Sequence, residues 1–67
     1  MAPRLRLALQ VASLIGQRDS PEVAQAWFQG LNPQLGDRSP ARLLREGDIA
    51  EVGPEIAAAA RAFVIGG

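Results

Sequence analysis

The sequence predicts an all-α fold, a small bundle of about four short helices, and three observations carry that reading. Composition favours helix: of 67 residues, twelve are alanine and eight are leucine, and β-branched residues are seldom clustered. No stretch alternates apolar and polar residues over the length of a strand. Gly16, Gly30, Gly36, Gly47 and Gly53 punctuate the chain at short intervals, and four of the five prolines follow these breaks. A chain of this length is a single domain, residues 1–67, and buries only roughly 60% of its unfolded surface.

Each element has its own signature. The first helix is expected from Arg4 to Gln17. At about 100° per residue, Arg6, Gln10, Ser13 and Gln17 fall on one narrow polar stripe. Leu5, Leu7, Leu9, Val11, Leu14 and their neighbours cover the remaining arc, roughly 200° wide and about twice what packing on one core requires. That surplus predicts self-association through Leu5, Leu7, Leu9, Val11 and Leu14, or cover from a further domain or partner. The second helix opens at Asp19-Ser20-Pro21-Glu22, with Asp19 as cap, Glu22 three residues on and Pro21 in the first turn. Its Val23/Trp27 and Ala24/Phe28 pairs are expected to face inward, and Gly30 ends it.

Asn32-Pro33-Gln34-Leu35-Gly36 reads as one capped turn closed by a glycine able to take positive φ. Ser39 caps a third helix, with Pro40 at its start and Ala41 to Glu46 as its body; Leu43 and Leu44 supply its core contacts. The fourth helix starts at Asp48, capped reciprocally by Glu51, and repeats Ile49, Val52, Ile56, Ala59, Ala60 and Phe63 along one face. Gly53-Pro54 interrupts it, so a kink or short break is expected there. Ala57 to Ala60 offers a flat surface for close approach of another helix.

The residue inventory argues against an enzyme and against a cofactor. Cysteine, histidine, lysine and tyrosine are all absent. Disulfides, thiolate metal sites, Schiff bases and the usual activated-nucleophile pairs therefore cannot be built. Seven arginines balance seven carboxylates. Direct nucleic-acid binding by this segment is not expected, because phosphate recognition draws on a basic excess. No apolar run reaches membrane-spanning length. Arg4 and Arg6 precede apolar residues, but Gln10 and Ser13 interrupt the run and no cleavage site follows, so a cytoplasmic location is expected.

Most motifs have ordinary readings. The glycines are spread one per boundary, as helix terminators rather than a phosphate loop. Trp27-Phe28 reads as a core anchor rather than a base-stacking platform. Arg42 and Arg45 lie three apart on the third helix, open to an anionic partner, but Arg42 and Glu46 also form an i,i+4 surface pair. The apolar end, Phe63-Val64-Ile65-Gly66-Gly67, either closes the last helix on the core or docks into a cleft; both stay open.

From Trp27 onward the order of motifs is more specific. Trp27-Phe28 is followed by Asn32-Pro33-Gln34-Leu35-Gly36, then by Ser39-Pro40-Ala41-Arg42-Leu43-Leu44, then by Gly47-Asp48 ahead of a last helix. This succession resembles the C-terminal toxin-binding domain of Xre/MbcA/ParS-type antitoxins, over about residues 5 to 65. The resemblance implies an antitoxin-type module that binds a RES-domain toxin, a NAD-degrading protein, and occludes its active-site cleft. It places the toxin contacts at Arg42 and Arg45 and at the end of the fourth helix, Arg61, Phe63, Val64, Ile65, Gly66 and Gly67. Most family members carry an N-terminal helix-turn-helix domain, which this sequence is expected to lack, either as a natural minimal version or as a fragment of a longer regulator. The alternative is the dimerisation or effector domain of a helix-turn-helix transcription regulator with no toxin partner.

Overall fold

The computed structural model describes residues 2–66. Four α-helices follow in order: α1 (Pro3–Gly16), α2 (Pro21–Gln29), α3 (Pro40–Glu46) and α4 (Ile49–Gly66). A single 3₁₀ turn, Pro33–Leu35, lies between α2 and α3. Among the described residues there is no strand; Asn32 and Arg38 form one isolated antiparallel bridge across the base of that turn. The molecule is thus an all-α bundle.

Proline sets the helix starts. The residue before a proline is driven out of the helical region by contact between the pyrrolidine ring and its own N–H and Cβ. Ala2, Ser20, Asn32 and Ser39 are accordingly extended, with ψ of 140°, 162°, 118° and 142°, and a helical turn begins at the proline that follows each. The same rule corrects the cap of α2. Ser20, not Asp19, holds the cap position, and its Oγ accepts from the Val23 N–H at 3.4 Å. Ser39 does the same for the Arg42 N–H at 3.2 Å, and Asn32 for Gln34 at 2.9 Å. At the head of α4 the Asp48 carboxylate accepts from the Ala50 N–H at 3.0 Å. The reciprocal bond expected from Glu51 is not formed.

No break occurs at Gly53-Pro54; α4 runs through both residues. Two features make this possible. Gly53 has no Cβ for the proline ring to strike, so the residue before Pro54 can stay helical. Pro54 itself is exposed, and Ala50, whose carbonyl loses its intrahelical donor, is exposed too. The bare backbone at Gly53 also faces α1, where a Cβ would lie 3.5 Å from Leu7 Cδ2.

The core is built from Val11 and Ile15 on α1, Ala24 and Trp27 on α2, Leu35 in the turn, Leu43 on α3, and Val52, Ile56, Ala59 and Ala60 on α4. The most extensive helix pair is α1 with α4. Ala59 and Ala60, from the alanine run, are both buried in this core. Val23 departs from expectation: it sits at the rim, 36% exposed, while Ala24 and Trp27 turn inward.

Gly47 is required for space rather than for backbone freedom. Its φ of −81° suits any residue, yet a Cβ there would fall 2.8 Å from the Leu43 carbonyl oxygen and 2.8 Å from Val52 Cγ1. Gly47→Ala is expected to push α3 and α4 apart and to destabilise the protein by about 1–3 kcal/mol. Chemical denaturation of the two proteins side by side checks this. Gly36, by contrast, needs its glycine for conformation: its φ is +68°, as the turn sequence implies. Asp37 beside it is also left-handed, at φ 60°, which the sequence gives no reason to expect.

Candidate functional site

Several grooves open on the surface of the bundle, and two of them border the residues singled out from the sequence. The larger, about 580 Å³, runs between α2, the 3₁₀ turn and the end of α4. Asn32, Pro33 and Gln34 form one wall, Ala62, Phe63 and Gly66 the other, and Trp27 lies at the base. Leu35, 1% exposed, anchors the turn from beneath, and Arg38 Nε donates to its carbonyl at 2.8 Å. Trp27 packs edge-on against Phe28, with centroids 5.3 Å apart and planes at 85°, and meets Phe63 at 6.4 Å. The tryptophan is therefore a core anchor whose margin borders the groove.

Leu31 at the groove wall is 74% exposed, and Ile65, one residue before Gly66, is 81% exposed. These are the most exposed large apolar side chains among the described residues. Around Ile65, α4 carries no charge after Arg61 in its described residues. The end of the helix is held in place from the opposite side, where Arg18 Nη1 donates to the Val64 carbonyl. That carbonyl is one of the four left without an intrahelical donor, and a cation at a helix C-terminus also complements its dipole. Arg4 Nη1 does the equivalent for α3 at the Leu44 carbonyl, 2.7 Å. Neither arginine is marked by its local sequence, since the acceptors lie 46 and 40 residues away. Arg18→Ala is expected to loosen the last turn of α4, seen as about tenfold or faster hydrogen exchange at the amides of residues 63–65, with little change in the melting of the core.

The second groove, about 390 Å³, lies among α1, α2 and α3 and is floored by Ala8, Ala12, Phe28 and Leu44. Leu9, 51% exposed, stands on its edge, with Leu5, 53% exposed, one turn earlier. This locates the apolar surplus of α1. Val11 does not belong to it: 3% exposed and nearly opposite the polar stripe, it is in the core. Leu7 and Leu14 are half-buried and packed against that core. The free apolar surface is one edge of the arc, Leu5 and Leu9, rather than all five residues.

The toxin-contact candidates from the sequence fall in two places. Phe63 and Gly66 line the larger groove, with Val64 half-buried and Ile65 exposed beside it; Arg61 is exposed on the same helix; Gly67 lies outside the described residues. Arg42 and Arg45 stand apart on α3. Arg42 Nε pairs with Glu46 at 3.4 Å and Arg45 with the same carboxylate at 3.8 Å, all on the open surface where such pairs contribute little. The larger groove is lined by Phe63 and Gly66 but by neither Arg42 nor Arg45.

Among the described residues no cluster of three or more acidic, histidine or cysteine side chains is placed to hold a metal ion, and no helix is long and apolar enough to cross a membrane. The chain matches no protein-family model, no curated protein and no solved structure.

Proposed function

We propose that this chain is an antitoxin-type module that inhibits a RES-fold, NAD-degrading toxin by binding it and occluding its active site, working in the cytoplasm. One observation carries the reading. The Asn32-Pro33-Gln34 segment, which bears the resemblance, and the α4 end, to which the resemblance assigns toxin contact, are the facing walls of one apolar groove. Leu31 and Ile65 flank it as exposed anchors of the kind that dominate protein interfaces. An inhibitor of this type needs no catalytic group of its own.

The test is NAD consumption by the protein encoded beside this chain, with and without the chain at equal concentration. Suppression near a one-to-one ratio is the expected result. NAD loss that continues unchanged overturns the proposal and favours the dimerisation or effector domain of a helix-turn-helix regulator.

A further inference from the structure

The apolar edge of α1 has a self-complementary layout. Leu5, Leu9, Ala12 and Gly16 lie within about 60° of one another around the helix, so they form a single strip. Its first half is large and its second half small. Leu5 stands as far before the centre of the strip as Gly16 stands after it, and Leu9 and Ala12 are related in the same way. A two-fold axis through that centre therefore sets each leucine of one copy against a small residue of the other, in both pairs at once.

The charges beside the strip obey the same two-fold. The connection from Gln17 to Ser20 is short, so the start of α2 stays close to the Gly16 end of α1, and Ala8, Ala12, Gln25 and Gln29 line the shared groove. Glu22 precedes Gln29 by two helical turns on the same face and so lies beside the Gly16 end of the strip. Arg45, 70% exposed, lines the groove from α3, and Arg4, bonded to the Leu44 carbonyl, marks the same Leu5 end. The strip is thus cationic at one end and anionic at the other. Inverting it onto itself brings Glu22 of each copy to Arg45 of the other, which is the isologous pattern of a two-fold dimer.

From this layout we infer that the α1–α2–α3 face is the interface of a homodimer in which α1 packs antiparallel on α1 of a second copy, Leu5 against Gly16 and Leu9 against Ala12. The inference is independent of the toxin reading, because it uses the face away from the larger groove and is read without a toxin.

Cysteine pairing tests the register, since the chain has no cysteine of its own. Gly16 has open space where a Cβ would go, and Leu5 is over half exposed, so neither substitution disturbs the fold. Under mild oxidation, Leu5→Cys mixed with Gly16→Cys is expected to give the mixed disulfide. Leu5→Cys alone is expected to give none, because in this register two copies of residue 5 lie about 16 Å apart along the helix. Self-linking of Leu5→Cys, or no linking in either case, overturns the proposal. Sedimentation equilibrium supplies a second reading. Glu22→Arg and Arg45→Glu each weaken the dimer, and the double exchange restores it, while Leu9→Arg weakens it by about tenfold or more. A wild-type chain that stays monomeric at high micromolar concentration, or a double exchange weaker than both single ones, also overturns it.

Discussion

Ile56→Ala is expected to remove a large share of the protein's stability. Ile56 is fully buried in the middle of α4, among the core residues that join that helix to α1. Removing its outer carbons loses their transfer free energy and leaves a cavity, at a cost of about 2–5 kcal/mol. A domain of this length holds only about 3–10 kcal/mol in total, from a typical stability per residue. The cost is thus a large share of what is available. In a bundle this small each kcal/mol moves the melting temperature by about 4–8 °C, so the expected fall is about 10 °C or more. Thermal melting followed by circular dichroism reads it directly, with Leu31→Ala as the matched control. Leu31 is 74% exposed, and its truncation is expected to shift the same transition by no more than a few degrees. A melting temperature for Ile56→Ala close to that of wild type would mean that the α1–α4 contact is not the centre of the fold.

The buried faces of α4 and α1 mark how far the sequence can be read. The buried face of α4 is legible because the helix spacing of Val52, Ile56, Ala59 and Ala60 leaves no second direction in which to bury them. On α1 the apolar arc is so wide that periodicity alone does not fix its centre, and Val11 is wrongly assigned to the outside although it lies nearly opposite the polar stripe. The glycine and proline punctuation locates every helix, because φ restriction and the missing N–H act locally. At Gly53-Pro54 it allows a break that does not form. A proline rule written for residues with a Cβ does not hold where the preceding residue has none. The cap at Ser20 follows from the proline after it, a constraint stronger than the side-chain preference that favours Asp19.

The site was less legible than the fold. A groove wall is made by two segments some thirty residues apart, and only the tertiary arrangement brings Asn32 to Gly66. The arginine caps at Leu44 and Val64 are long-range in the same sense. Arg42 and Arg45, singled out from their spacing, share one carboxylate on an open helix surface instead. Arg45 in addition borders the α1–α2–α3 groove rather than the α4 end.

That separation sets the second large effect. If the α4 end and the turn are the toxin-facing surface, Ile65→Glu weakens inhibition by about thirtyfold or more, the scale of losing one interface anchor of about 2 kcal/mol. Leu31→Glu, on the opposite wall, has an effect of the same order. Both side chains are more than 70% exposed, so the charge costs the fold little, and an unchanged melting temperature separates lost binding from lost structure. Truncation after Phe63 is a harsher version, because it also takes away the Val64 carbonyl to which Arg18 donates. Arg42→Ala and Arg45→Ala stand on the other side of the comparison. Each removes an exposed guanidinium outside the groove, and each is expected to change the inhibition constant by less than about threefold, as for a rim residue. Inhibition titrations of NAD consumption with these variants distinguish the two surfaces. Loss at Ile65 and Leu31 with retention at Arg42 fits the groove as the toxin contact. The reverse pattern would move the contact to α3 and leave the groove without a role in inhibition.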